Sequence, residues 1–378
     1  MKKNIFYWSP YLGKVATIRS VLNSMIGLSS LHNNKYNISI INCYGEWDKY
    51  ISNLKKNKIK IINIQKKIKF NIDIYGFVLS RFVYLITLFL SYKKLKVLLI
   101  KKKPDYLIVH LLTFIPFFLF FNNTFKTKLI LRISGKPKLF FFRKMLWKIL
   151  NKRIHLIFCP TKETKDYLFK KNIFDIKKIK FLPDPVLYDV NIKNLSQNKI
   201  EKKFKKNSFF LSVGRLTKQK NHELLIRMFS HNNFNEKLLI IGDGELLNYL
   251  KKLISDLNLK KKVFILNYQK NIFYYIKRSK AVIISSLWED PGFVMIESAY
   301  SKKLIICSDC PSGPKEFIGK NEGGFLFKSN SISALSDALN KFNKSNKKIL
   351  HQKIKYAKNK SKIYSIKNHT KIISNYLS

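Results

Sequence analysis

Short apolar runs alternate with longer amphipathic stretches along most of the chain. This alternation is typical of parallel β-strands that are buried on both faces and joined by covering helices. Helical patterns lie between most of the runs, as at Thr161–Lys171 and His222–Phe229. The chain is therefore predicted to be an α/β protein. In the first half, the predicted strands are Asn4–Trp8, Ile38–Asn42, Lys60–Ile64, Tyr106–Val109, Leu129–Ile133 and His155–Cys159. In the second half, they are Phe209–Val213, Lys237–Ile241, Val263–Leu266, Ala281–Ile284, Leu304–Cys307 and Gly324–Phe327.

A polar segment without apolar periodicity interrupts this pattern. The segment, Tyr188–Lys206, is rich in Asn and Lys and follows the turn Pro183-Asp184-Pro185. Because domain boundaries fall in such segments, we expect two doubly wound Rossmann-like domains with a ligand cleft between them. The lysine-rich tail, 350–378, is predicted to be a helix that packs back on the first domain. The predicted bounds are 1–190 for the N-terminal domain, 191–206 for a linker and 207–349 for the C-terminal domain.

The formal net charge of +51 is very high, and its distribution is uneven. Lys, Asn and Ile are abundant together, as in genomes that favour A- and T-rich codons, and this explains much of the excess Lys. Between Ile74 and Lys162, however, Asp105 is the only acidic residue. A basic N-terminal half predicts attraction to an anionic surface, which is a phospholipid, a lipid diphosphate or a nucleic acid.

Two apolar stretches in this basic half are candidates for membrane contact. Phe77–Leu90 contains Arg81 and has about 14 residues, fewer than the roughly 20 that a spanning helix needs. Leu111–Phe121 is shorter and includes Pro116. One interpretation is that both stretches are buried helices of the α/β domain. The alternative is that one of them, flanked by Lys93–Lys96, lies in the membrane interface. No segment has the pattern of a secretory signal, so we expect a cytoplasmic protein attached to the inner face of the cell membrane.

The four cysteines predict neither a disulfide nor a zinc site. Cys307 and Cys310 have the required spacing, but a second pair and a nearby His are missing. We interpret these two, with Cys43 and Cys159, as free thiols of a reducing compartment.

Two motifs of the second half follow predicted strands. "GRLTKQKN" begins at Gly214 and carries Arg215 and Lys220, two cations that are either a diphosphate clamp or solvated surface charges. "IIGDGE" follows with two glycines that open a helix. Its acidic pair, Asp243 and Glu245, has metal-binding spacing, but a tight turn explains both glycines without a metal. We therefore predict no metal site.

The most specific segment is "SSLWEDPGFVMIE", from Ser285 to Glu297. A strand precedes it and a helix follows, so Glu289 is predicted to lie at the strand end, near the cleft. Gly292, Phe293 and Val294 are placed to offer backbone N–H groups to an anion at the helix N-terminus. The alternative is that the acidic residues only stabilise the helix N-terminus, but that leaves the glycine unexplained.

These segments, together with "SDCPSGPKEFI" and "GGFLF", resemble the retaining family 4 glycosyltransferases of the GT-B fold. The resemblance covers about 120 residues of the second domain, in the same order. It implies that Arg215 and Lys220 contact the donor diphosphate, beside Gly214. It also implies that Glu289 faces the transferred sugar, that Glu297 binds the ribose hydroxyls, and that the backbone at Gly292–Val294 holds phosphate oxygens.

The first domain resembles the family only loosely. Where many members carry a cleft His, this chain has Ser134 at the start of "SGKP". His110 ends a neighbouring strand and either contacts the sugar or is a partly buried structural His. Gly13 and Lys14, after the first strand, are candidates for acceptor contacts. Asn267 replaces a glycine that is usual in the family near the expected base-binding turn, Asn267–Gln269, so the sequence does not decide the identity of the donor sugar.

The resemblance implies a metal-independent enzyme without a cofactor. Such an enzyme would transfer a hexose or N-acetylhexosamine, with retention, from a nucleoside-diphosphate sugar, which is expected to be UDP-linked. Charge and analogy predict a lipid-linked saccharide acceptor at an anionic membrane surface, in surface polysaccharide biosynthesis. A nucleic-acid-binding protein is the alternative suggested by the charge. The sequence has no helix-turn-helix pattern, zinc-finger spacing or aromatic single-strand platform, so no nucleic-acid partner is expected. The third hypothesis is an inactive scaffold that binds sugar nucleotides; the motif cations and glutamates argue against it.

Overall fold

The computed structural model describes residues 2–11, 16–32, 34–65, 77–188, 204, 206–231 and 235–377. The chain divides into two compact units. Unit 1 comprises Met1–Val186 and Ile366–Ser378, and unit 2 comprises Leu187–Ser365. The predicted linker, 191–206, lies almost wholly outside the described residues.

Unit 1 contains a parallel sheet of seven described strands in the order β3-β2-β1-β4-β5-β6-β7. The strands are β1 (Lys3–Trp8), β2 (Tyr36–Asn42), β3 (Lys60–Asn63), β4 (Tyr106–Val109), β5 (Lys128–Arg132), β6 (Ile154–Cys159) and β7 (Ile179–Phe181). The α-helices between them are α1 (Ala16–Leu31), α2 (Ile51–Lys56), α3 (Phe77–Lys102), α4 (Phe114–Asn122), α5 (Phe141–Leu150) and α6 (Lys162–Lys170).

Unit 2 repeats the architecture with six described parallel strands in the order β10-β9-β8-β11-β12-β13. The strands are β8 (Phe209–Val213), β9 (Lys237–Ile241), β10 (Val263–Leu266), β11 (Val282–Ile284), β12 (Ile305–Ser308) and β13 (Phe325–Phe327). The helices are α7 (His222–His231), α8 (Leu247–Asp256), α9 (Ile272–Arg278), α10 (Phe293–Tyr300), α11 (Gly313–Ile318), α12 (Ile332–Lys344) and α13 (Lys347–Ser361), and α14 (Ile366–Tyr376) follows as part of unit 1.

All twelve predicted strands are present, with bounds that differ by at most two residues, and the predicted pair of doubly wound sheets is confirmed. The short edge strand β7 was not predicted, because "IKF" is only three residues long and contains a Lys. The apolar runs are central strands whose side chains are buried on both faces, such as Phe209, Phe210 and Leu211 at 0% exposure.

In each sheet, the strand order reverses beside the first strand. β1 lies between β2 and β4, and β8 lies between β9 and β11. Loops that leave the carboxyl ends of the strands diverge at such a reversal and open a crevice, which is where ligands bind in doubly wound sheets. The crevice of unit 2 is therefore flanked by the segments that follow β8 and β11.

The tail predicted as one helix over 350–378 is two helices instead. α13 packs on α10 and α11 in unit 2, whereas α14 packs on α1 in unit 1. A 3₁₀ turn, Lys362–Tyr364, separates them. The α1–α14 contact is close, because a Cβ on Gly27 would lie 2.1 Å from Oγ1 of Thr370. A helical period alone does not reveal that the two segments pack on different sheets.

A buried polar network holds α14 to unit 1. The carboxylate of Asp184 pairs with Arg132 and accepts a hydrogen bond from Ser20. Nδ1 of His369 lies 2.7 Å from the carbonyl oxygen of Pro183, so it carries the proton and donates. Nε2 then accepts from Oγ of Ser24 at 2.9 Å. Both ring nitrogens are thus satisfied in the neutral His.

We expect unit 1 to lose stability in mild acid because of His369. Burial, with Arg132 nearby, lowers the pKa of His369 to about 4 from its ordinary 6.5. Between these values the unfolded chain binds a proton that the folded protein does not, so stability falls as the pH falls. The loss is about 2 kcal/mol near pH 5. Urea unfolding near pH 7.5 and pH 5 measures it; His369→Gln should lose less stability than the wild type, and the exposed-site control His351→Gln should match the wild type. Equal losses in all three would contradict this role.

The two apolar stretches form α3 and α4. In the described residues, no helix has both the length and the apolar character that a membrane span requires. α4 is buried on one side, with Phe117 at 1% and Phe120 at 3% exposure, and exposed on the other at Phe114 and Phe118. The buried-helix interpretation therefore describes one side of α4 only. The four cysteines are free and buried.

Candidate active site

The crevice of unit 2 brings together Lys220 and Glu289, which are 69 residues apart in the chain. Nζ of Lys220 forms an ion pair with Oε1 of Glu289. Oγ of Ser286 donates to the same Oε1 over 2.6 Å. Glu289 is only 7% exposed, whereas the side chain of Lys220 keeps 19% of its surface exposed. A buried carboxylate is thus held by a cation that still reaches solvent.

The loop after β8 is shaped to aim Lys220 at Glu289. A Cβ on Gly214 would lie 3.1 Å from Cγ of Lys220, so the glycine leaves room for the lysine stem. The carbonyl of Lys220 accepts from Oγ of Ser285 at 2.9 Å, which ties this loop to the segment after β11. The hydrogen bond from Ser285 fixes the backbone of Lys220 before any ligand binds, and Gly214 leaves space for its side chain.

Arg215 is exposed but held near the same crevice. Its Nη2 donates to Oε1 of Gln219 at 3.1 Å, and Nε2 of Gln219 donates to the carbonyl of Trp288 at 2.9 Å. The two predicted cations therefore belong to one loop that is bonded to the Glu289 segment at several places. Arg215 has the exposure that a phosphate-binding residue needs.

The glycines of "IIGDGE" are required by backbone packing. A Cβ on Gly242 would lie 1.9 Å from the carbonyl oxygen of Gly214, and one on Gly244 would lie 2.5 Å from that of Leu216. The loop after β9 thus passes directly against the loop after β8. This agrees with the prediction that a tight turn explains both glycines.

Asp243 has a structural contact. Its Oδ2 accepts from the backbone N–H of Tyr268 at 3.1 Å, which fixes the turn Asn267–Gln269 after β10. The described part of the chain contains no group of three or more His, Cys, Asp or Glu arranged for a metal ion. The metal independence of the reaction stays a prediction.

The segment after β11 ends at the N-terminus of α10. Gly292 caps the helix with a φ of +92°, a left-handed conformation that favours glycine. The turn before it is packed tightly, since a Cβ on Gly313 would lie 2.1 Å from the carbonyl oxygen of Pro291. A helix N-terminus carries partial positive charge and suits an anion, and the first turn of α10 begins with Phe293 and Val294. Glu297 lies one turn further and is 1% exposed, and its contact with ribose hydroxyls stays a prediction.

Sequence reasoning missed three contributors to the site. Ser286 and Gln219 both lie inside the quoted motifs. Their hydroxyl and amide groups, close in sequence to the predicted charged residues, could have indicated hydrogen bonds to those residues. His222 had no such signal, because it reads as the first residue of a helix. Burial, followed by the charge of Lys220, lowers the pKa of His222 to about 4. His222 is therefore neutral and adds no positive charge beside Lys220.

The residues predicted to contact the acceptor or sugar belong to unit 1. Gly13 and Lys14 lie outside the described residues. His110 is 6% exposed and stacks on Tyr7 with ring centroids 5.9 Å apart. Burial, followed by the charge of Arg132, lowers its pKa well below the ordinary value. These contacts favour a structural His110. Ser134 is exposed just beyond β5, and its role stays a prediction.

Comparison with known proteins finds a family match in the second half of the chain. Residues 194–360 match the model of the family described as glycosyl transferases group 1. An uncharacterized glycosyltransferase of Methanocaldococcus jannaschii is 35% identical over 252 residues, which are 60% of this chain and 61% of that protein.

A second relative has an assigned reaction. The N-acetylgalactosamine-N,N'-diacetylbacillosaminyl-diphospho-undecaprenol 4-alpha-N-acetylgalactosaminyltransferase of Campylobacter jejuni is 30% identical over 218 residues, or 57% of this chain and 60% of that one. The chain thus spans about three fifths of the length of these two curated relatives.

Solved structures are similar over nearly the whole chain. A glycosyltransferase of Rickettsia africae has a TM-score of 0.74 at 18% identity and covers 99% of this chain and 97% of its own. The HepE protein of Anabaena, in complex with UDP, has a TM-score of 0.71 at 13% identity and covers 100% and 99%. The second unit is therefore similar in sequence to the glycosyl transferases group 1 family, within a chain that has the GT-B fold.

Proposed function

We propose that this chain is a glycosyltransferase that moves a hexose or N-acetylhexosamine from a nucleoside-diphosphate sugar to a lipid-linked saccharide. The observation that carries the proposal is the pairing of Lys220 with the buried Glu289 beside the N-terminus of α10. Two cations and a helix N-terminus suit a diphosphate, and an adjoining carboxylate suits the sugar attached to it.

The electrostatics of the site fit departure of a diphosphate. As the bond between the sugar C1 and the diphosphate oxygen breaks, its electron pair leaves with the diphosphate. Lys220, Arg215 and the first N–H groups of α10 would stabilise the charge that develops there. Glu289 would face the positive charge on the sugar ring. The acceptor hydroxyl then bonds to C1, and its proton passes to the departing diphosphate. Attack from the face that the diphosphate leaves retains the configuration.

The names of the relatives support the acceptor class. The Campylobacter relative acts on a saccharide linked to diphospho-undecaprenol, and an Escherichia coli relative is a galactosyltransferase with a diphosphoundecaprenol-linked acceptor. We infer that this chain likewise serves surface polysaccharide biosynthesis at the inner face of the membrane. The complex of HepE with UDP favours UDP as the carrier of the sugar.

A thermal-shift panel tests the donor proposal. We expect one nucleoside-diphosphate sugar, without added metal, to stabilise the wild type by about 2.7 kcal/mol at a hundred times its Kd. Arg215→Ala should lose most of this stabilisation, because the exposed guanidinium would bind the diphosphate. The matched control is Arg227→Ala, which removes an exposed arginine that pairs with Glu223 on α7.

Three outcomes would count against the proposal. Absence of stabilisation by any nucleotide sugar would contradict a donor site. Donor binding without transfer to any lipid-linked saccharide would favour a sugar-nucleotide-binding scaffold. Salt-sensitive RNA binding in place of nucleotide-sugar binding would favour the nucleic-acid interpretation of the charge.

A further inference from the structure

An exposed apolar surface extends over three consecutive helices of unit 1. α4 packs between α3 and α5. The ring of Tyr92 on α3 lies 5.7 Å from that of Phe118 on α4, between centroids. On the inner side, the rings of Phe117 on α4 and Trp147 on α5 are 6.4 Å apart. The three helices therefore lie side by side on unit 1.

Aromatic side chains dominate this surface. More than half of the large hydrophobic side chains that are exposed in the described residues lie between positions 89 and 149. Phe89, Phe141 and Phe142 are 78%, 74% and 77% exposed. We define the aromatic face by Phe89, Phe114, Phe118, Phe141, Phe142 and Met145.

The aromatic face is separate from the core. On α4, Phe114, Phe118 and Phe121 follow the i, i+4, i+7 spacing of one helix side, and Phe117 and Phe120 are buried on the other. A cluster of this size on a folded surface marks a site of contact with another apolar phase or partner.

The three helices of the aromatic face carry exposed cations, and their sequences contain no Asp or Glu. Lys93 and Lys94 of α3, and Arg143, Lys144 and Lys148 of α5, are exposed. Asp105, the only acidic residue between Ile74 and Lys162, accepts a hydrogen bond from the backbone N–H of Asn4. Rings at headgroup depth flanked by Lys and Arg are the composition of helices that lie on anionic membranes. A symmetric contact between two copies would instead set like charges against each other.

We propose that the aromatic face docks on the surface of an anionic phospholipid bilayer. This inference rests on the proposed function and deepens it. α4 follows the carboxyl end of β4, and α5 follows that of β5, where Ser134 lies. Docking brings this edge of the sheet to the headgroup level, where the diphosphate of a lipid-linked acceptor is found. The docked protein then binds its acceptor at the membrane surface.

Vesicle flotation of the full chain, without donor or acceptor, tests the proposal. Vesicles of phosphatidylcholine are compared with vesicles that also contain phosphatidylglycerol. We expect binding to the anionic vesicles only. Arg143→Gln/Lys144→Gln should weaken it about 25-fold at low salt, since each cation contributes about fivefold. Phe141→Ser/Phe142→Ser should weaken it about tenfold or more at unchanged charge.

Matched controls come from exposed residues of unit 2. Lys347→Gln/Lys348→Gln removes the same charge, and Ile349→Ser/Ile363→Ser removes exposed apolar surface. Both should bind as the wild type does. Circular dichroism checks that each variant is folded.

Several results would overturn the docking proposal. One is equal binding to neutral and anionic vesicles. Another is wild-type binding by both Phe141→Ser/Phe142→Ser and Arg143→Gln/Lys144→Gln. A concentration-dependent dimer that Phe141→Ser/Phe142→Ser dissociates would identify a protein interface instead. The flotation assay contains no sugar nucleotide. A protein that fails to float but is still stabilised by a sugar nucleotide would therefore refute the docking proposal and leave the proposed function intact.

Discussion

Replacement of Glu289 by Gln is expected to lower kcat by about a hundred- to a thousandfold. Gln keeps the shape of the side chain and a carbonyl oxygen that Ser286 can still reach, so the local fold should persist. What disappears is the buried negative charge, which we place opposite the positive charge of the sugar in the transition state. KM for the donor should change little, because the loss falls on the transition state.

Initial rates of nucleoside-diphosphate release in the presence of acceptor measure this effect. The matched control is Glu236→Gln, which removes the carboxylate of another Lys–Glu ion pair of unit 2, with Lys280. It should keep the wild-type kcat. A Glu289→Gln enzyme with wild-type turnover would show that the sugar does not face this carboxylate.

Lys220→Ala is expected to weaken nucleoside-diphosphate binding by about ten- to a hundredfold, since a charge-assisted hydrogen bond contributes about 1.5–3 kcal/mol. It should also destabilise unit 2 by about 3 kcal/mol, because Glu289 remains buried without its cation. The double variant Lys220→Ala/Glu289→Gln should recover most of the stability but none of the binding. Separate recovery of the two properties is the signature of a lysine that serves both the fold and the ligand.

Urea unfolding and titration calorimetry with UDP read the two properties independently. Lys280→Ala breaks the comparable pair with Glu236 and is expected to affect stability without affecting UDP binding. UDP binding by Lys220→Ala at wild-type strength would exclude Lys220 from the diphosphate site.

Much of the fold was predictable because the strands are short, mostly apolar runs, such as Phe209–Val213. The same periodicity could not place the tail. Its helical pattern passes through the turn at Lys362–Tyr364 and carries no information about which sheet each half covers. Side-chain identity decides this, since Thr370 meets Gly27 in unit 1.

The site was predictable to the level of its motifs. Order along the chain placed Lys220 and Glu289 at carboxyl ends of strands, and parallel pairing of β8 with β11 puts those ends side by side. The ion pair itself, and its sharing with Ser286, depend on rotamers and loop paths that no motif specifies. The role of His110 is likewise not decided by its place at a strand end, and its ring stacks on Tyr7.

The division of unit 1 into two pieces of chain has a consequence for biosynthesis. The ribosome completes every residue of unit 2 before it makes α14. Until then, the groove of α1 at Gly27 is uncovered, and Ser24 lacks its His369 partner. Unit 2 can thus mature while the earlier-made unit 1 waits for its last helix. A nascent chain that stalls before residue 366 would carry a finished unit 2 and an open hydrophobic flank on unit 1, the kind of surface that chaperones bind.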